Sequence, residues 1–150
     1  MRSTPHCRII NEGADAYRIG YHGQVVGAPI PKGSIVYEGK AKLASASTIP
    51  YYGFGFRFFP FADEREDRMN LRVTTISVAA FIANFPSIWR GEFRDPNVVT
   101  DFLVQDITFE MDPPTPFQIG GDFLGVKDKV RITLSKDPIQ LVDYYAPPRG

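Results

Sequence analysis

Apolar residues alternate with polar or small ones along much of this chain, at the period of two that a half-buried strand imposes. The pattern predicts short strands over 7–11, 16–19, 24–26, 34–38 and 40–47, each closed by glycine, proline or a polar turn. Within 51–73, Tyr52, Phe54, Phe56 and Phe58 share one parity, and Gly53, Gly55 and Arg57 share the other. A strand there would carry an aromatic face and a second face open to close approach by a backbone or a ligand. Pro60 ends or edges it, the charged run 63–68 turns, and Met69, Leu71 and Val73 restart a strand.

Residues 75–85 change period. Ile76, Ala79, Ala80 and Ala83, with Val78, Phe81 and Ile82 offset, fit 3.6 residues per turn and predict the one principal helix. Ser77 or Thr75 would cap it, Pro86 would stop it, and Trp89 would seal it against a sheet. Residues 98–110 then read as one long amphipathic strand, and 112–116, Asp-Pro-Pro-Thr-Pro, as a stiff corner. Gly120-Gly121 between two apolar runs predicts a hairpin. Strands over 130–134 and 139–142 and a frayed tail over 144–150 complete the reading.

With 13 glycines and 13 prolines the composition also favours many turns and a mainly β fold. The chain of 150 residues shows neither internal repeat nor linker, so 1–150 is expected to be a single domain. Seventeen basic and 17 acidic side chains leave no net charge to draw it to nucleic acid. Cys7 is the one cysteine and His6 and His22 are the two histidines, so neither a disulfide nor a Cys- or His-based metal site is expected. No apolar run reaches the ~18–20 residues of a membrane span and no signal-peptide pattern opens the chain, which makes a cytoplasmic location the expectation.

Three features carry candidate chemistry, each with a plainer reading beside it. The aromatic stretch is either core or the wall of an apolar ligand site. Gly120-Gly121-Asp122 is either a hairpin turn or an oxyanion cradle, with Asp122 a surface carboxylate in both cases. The run 63–68 is either a solvated turn or a metal or anion site. Lys40, Lys42, Arg57 and Arg72 would form a basic face if their strands were neighbours, a pairing that spacing alone leaves open.

The order of motifs resembles the C-terminal, lipid-accepting domain of bacterial diacylglycerol kinases and sphingosine kinase-like lipid kinases. The resemblance rests on Asn11-Glu12-Gly13-Ala14-Asp15-Ala16, on Gly53-Phe54-Gly55-Phe56 through Pro60-Phe61-Ala62, on Asp67 before an apolar strand, and on the Trp89-Arg90-Gly91 connector. Phe117 to Asp122 aligns with the family's Asp-Gly-Glu hairpin. It implies a two-layer β-sandwich of short antiparallel strands with one principal helix at about 75–85, carrying a lipid pocket. It also implies a separate ATP- and magnesium-binding domain, absent here, so that no cofactor is expected on this chain. Phe54, Phe56, Phe59 and Phe61 would bury the acyl chain, Arg57 and Asp67 would lie at the site, and Asp122 would be the catalytic acid residue. Here Gly120 replaces the family's first acid, Asp122 stands at the third position, and Arg68 replaces the glycine after Asp67. The expected function is lipid-acceptor presentation by a chain that is not catalytic alone, together with a nucleotide-binding partner, at most peripheral to the inner membrane face. The rivals are a stand-alone apolar-ligand carrier and a protein-interaction module, the latter as a homodimer.

Overall fold

A computed structural model describes residues 4–137, so the strand expected over 139–142 and the tail over 144–150 lie outside the described residues. Nine strands and two helices follow in the order β1 (His6–Asn11), β2 (Ala16–Ile19), β3 (Val25–Ile30), β4 (Ile35–Lys40), β5 (Leu43–Ser47), β6 (Met69–Thr74), α1 (Val78–Ala83), α2 (Phe85–Trp89), β7 (Val99–Val104), β8 (Asp106–Ile119) and β9 (Asp122–Thr133). They build two antiparallel sheets, β4-β1-β8-β9 and β3-β2-β7-β6-β5, packed as a sandwich. The core between them takes alternate residues from each strand: Cys7 and Ile9 from β1, Leu71 and Val73 from β6, Ile107 and Phe109 from β8. Burial pushes the Cys7 thiol up to about 12, as expected for a thiol with no water to solvate its anion.

The chain changes sheet four times, at β1–β2, β3–β4, β4–β5 and β7–β8, and the first and last of these crossings lean on each other. The Glu12 amide donates to the Asp106 carbonyl at 2.8 Å and the Ala14 amide to Gln105 Oε1 at 3.2 Å. Asn11 is fully buried, its side-chain amide donating to the Ala14 and Ile30 carbonyls. A Cβ on Gly13 would stand 2.9 Å from Asp106 Cβ, so only glycine lets the crossings meet. The Asn11-Glu12-Gly13 motif is therefore a structural corner.

Several expectations are corrected. Residues 98–110 are two strands, one in each sheet, hinged at Gln105. The apolar parity shows why: Phe102 and Val104 face the core, then Ile107 and Phe109 do, and one unbroken strand cannot turn both pairs inward. Residues 51–58 form a turn with one isolated bridge, Gly53 to Phe56, and no strand. Gly53, Phe54 and Gly55 have φ of 150°, 48° and 79°, and positive φ at three successive residues is incompatible with an extended ladder. Residues 112–116 are no corner, because β8 runs through them. Its pairing with β9 shifts register between Glu110 and Thr115, where the prolines need donate nothing. At 14 and 12 residues, β8 and β9 exceed the short strands expected.

The helix divides. Ser77 caps α1, its hydroxyl accepting from the Ala80 amide at 3.1 Å, but α1 ends at Asn84 and Pro86 sits in the first turn of α2. Trp89, expected to seal the helix against a sheet, instead stacks on Phe56 with centroids 5.4 Å apart. The Gly120-Gly121 hairpin forms as read, Ile119 pairing with Asp122 across two glycines at φ of 59° and 96°.

Candidate functional site

Strand β6 is buried along its whole length, which means that both of its faces are covered. Leu71 and Val73 point into the core, while Asn70, Arg72 and Thr74 point outward beneath the aromatic loop and the helices. Arg72 lies opposite Asp101 of β7, and Nε and Nη2 donate to the two carboxylate oxygens at 2.9 Å each. The pair is only 2% and 6% exposed. Asn70 Nδ2 adds a bond to Asp101 at 3.1 Å, and the Phe58 ring lies 5.5 Å from the guanidinium carbon. Both charges are thus matched before any ligand arrives, which a buried ion pair requires.

Above this pair lies an apolar groove of about 250 Å³. Val78 and Phe81 of α1 form one wall, with Ile88 of α2, Leu43 of β5 and Phe58 of the loop around it. Lys42, Arg72, Thr74 and Ser77 are its polar contributions, and no carboxylate lines it. The fold explains the space: α1 buries none of its residues, Phe81 reaches the groove lining, and Val78 and Ile82 stay 75% and 67% exposed. The helix covers the sheet without filling the gap beneath it.

The expected site residues separate. Phe59 and Phe61 are buried, Phe61 against Ile19 and Leu103, with Arg94 over its ring at 4.8 Å. Phe56 lies among Tyr52, Phe58, Phe85 and Trp89, and Phe54 is fully exposed. Arg57 bonds the Pro60 carbonyl at 3.3 Å and pairs with Asp63 at 3.6 Å. Asp67 accepts from Arg65 at 2.9 and 3.0 Å and from Arg68 at 2.6 Å; chiefly the Arg65 bonds hold its carboxyl below the usual range. Arg68 is buried and also donates to the Asp15 carbonyl, so the charged run is tied to the corner. Asp122 is exposed at the tip of the long β8–β9 hairpin. Not one of Phe54, Phe56, Arg57, Phe59, Phe61, Asp67 and Asp122 lines the groove.

The groove residues that sequence reading passes over are Val78, Phe81, Ile88 and Leu43. For Val78 and Phe81 the signal is the nearly all-round apolar pattern of 76–83, too apolar for a helix with only one buried face; Leu43 and Ile88 carry none. Lys42 and Arg72 are neighbours only if their strands pair, and the β5–β6 ladder, with Leu43 opposite Thr74, brings both to the groove.

A larger, open depression of about 410 Å³ lies on the outer face of the four-stranded sheet. It is lined by side chains of mixed sign, among which Glu110 already pairs with Arg8 and Lys129. Among the described residues, no three His, Cys, Asp or Glu side chains converge as a metal site would need, and no helix is long and apolar enough to cross a membrane. Compared with protein-family models, curated proteins and solved structures, the chain matches none.

Proposed function

We propose that this chain is the lipid-acceptor domain of a diacylglycerol kinase-like protein, holding an acyl chain so that a hydroxyl is presented for phosphorylation. The observation that carries the reading is the carbon-lined groove beneath α1, set over an ion pair whose charges are already satisfied. Burying methylenes there is worth about 0.8 kcal/mol each, so six would contribute about 5 kcal/mol before the cost of association. The ordered motifs of the sequence support the same reading.

Phosphoryl transfer needs a phosphate cradle and a metal held by carboxylates. Among the described residues no three His, Cys, Asp or Glu side chains converge, and Gly120-Gly121 forms a strand-to-strand turn instead of opening a helix. On this reading ATP and magnesium belong to a separate nucleotide-binding unit, and no step is assigned to them on this chain. Asp122, exposed at the hairpin tip, is the side chain that such a unit would meet, and the protein would work in the cytoplasm against the inner membrane face.

Native mass spectrometry against single-chain and two-chain lipids tests the reading, with one-to-one binding expected and Phe81→Asp abolishing it while the fold persists. Unchanged binding by the Phe81→Asp variant would refute it. The exposed Ile119, Phe123, Leu124 and Val126 on the β8–β9 hairpin favour a second reading, an interaction module. A stable dimer in sedimentation that Phe123→Glu dissolves, with no lipid bound, would establish that reading instead.

A further inference from the structure

The groove differs from a general apolar crevice in the charge at its edge. Its two basic side chains are not equivalent. Arg72 is matched by Asp101 in a bidentate pair, whereas the Lys42 ammonium makes no ion pair or hydrogen bond among the described residues. Lys42 is exposed, and its backbone amide is fixed to the Thr74 carbonyl at 2.9 Å, which places the residue at the end of β6 beside the groove. With no carboxylate on the lining among the described residues, Lys42 leaves one positive charge unmatched there.

Size sets a second limit. At about 250 Å³ the groove is small beside the ~300–1,000 Å³ of ordinary ligand pockets, so it takes one chain and leaves a second outside its mouth.

Resting on the groove reading above, we infer that the ligand is a single-chain amphiphile whose head carries an anionic group, a carboxylate or a phosphate ester, beside the acceptor hydroxyl. Its head meets Lys42 and its chain lies between α1 and β6. Cationic sphingoid-type amphiphiles are disfavoured by Lys42, and two-chain glycerides by volume.

Calorimetric titration of the purified chain at low salt, below micelle formation, tests this with five ligands of equal chain length. They are decanoate, decyl phosphate, decanol, decylamine and didecanoylglycerol. Decanoate and decyl phosphate should bind about fivefold more tightly than decanol, the effect of one unit charge about 4 Å away in water. Decylamine should bind more weakly than decanol by a similar factor, and didecanoylglycerol should gain nothing from its second chain. The tighter of the two anions names the head group. Lys42→Met should make decanoate and decanol equal, and Lys42→Glu should reverse the order of decanoate and decylamine. Because Lys42 is exposed, both variants should keep the fold.

Decanol binding with no preference for the anions, a preference that survives in Lys42→Glu, or tighter binding of didecanoylglycerol than of decanoate would overturn the inference and leave the groove reading standing. If decanol does not bind at all, the groove reading fails and the inference fails with it.

Discussion

The two outer faces of the sandwich carry the same kinds of side chain and put them to different use. On the four-stranded sheet, Arg8, Glu110 and Lys129 lie in the open, at 34–64% exposure, with Glu110 paired to Arg8 at 3.9 Å and hydrogen-bonded by Lys129 at 3.1 Å. On the five-stranded sheet, Arg72 and Asp101 form a bidentate pair under the aromatic loop and helices. What lies over the sheet makes the difference. The covered face excludes water, so its charges must be fully matched, and the same cover leaves an apolar groove beside them. The open face needs no such matching, and its depression of about 410 Å³ is lined by side chains of mixed sign.

Breaking the covered pair should have the largest effect. Asp101→Ala leaves a buried guanidinium without its partner and should cost about 3–5 kcal/mol, read as a lower urea midpoint. Replacing both partners, Arg72→Met with Asp101→Leu, should recover most of that loss. If the double variant is as unstable as the single one, the cost lies in packing and not in the unpaired charge.

A smaller loss is expected where the sheets are joined. Gly13→Ala brings a methyl to 2.9 Å from Asp106 Cβ and should cost about 1–3 kcal/mol by overpacking. It should do so without changing lipid binding, since the corner contributes no residue to the groove. A parallel loss of binding and stability would mean that corner and groove are coupled.

On the open face, Glu110→Ala should change stability by less than about 1 kcal/mol, because exposed pairs contribute little. The pH dependence follows from different carboxylates. Hydrogen bonds from Arg131, helped by Thr133, hold Asp106 below the usual range, and those from Arg65 do the same for Asp67. A depressed folded-state value adds stability that is present above the unfolded value of about 3.9 and lost as pH falls through the folded value. Stability should be flat from pH 5 to 7 and decline below about pH 4, and Asp106→Asn should soften that decline. A decline centred near pH 6 would contradict this assignment.

How much of this was legible before the structure follows from the kind of signal involved. The Gly120-Gly121 turn and the Ser77 cap are local, set by glycine at positive φ and by a hydroxyl three residues from its amide, and both formed as read. The break at Gln105 was written in the parity of Phe102, Val104, Ile107 and Phe109. It was masked because Leu103 is also buried, on the other face beneath Phe61. Alternation at 52–58 was real, yet Phe54 at φ 48° turned it into a loop, and no side-chain pattern reports a backbone angle. The groove was least legible of all. Arg72 and Lys42 come together through the β5–β6 ladder, and Phe81 reaches them through a helix far along the chain from β5, which are pairings that only the folded chain defines.

The central claim is that an acyl chain binds beneath α1, and a titration of the isotopically labelled chain with decanol, followed by amide chemical shifts, tests it most directly. Saturable shifts confined to 42–43, 58, 72–81, 88, 93 and 99 are the predicted result. Shifts centred on 52–56 and 59–61 of the aromatic loop, or none at saturating decanol, would contradict it.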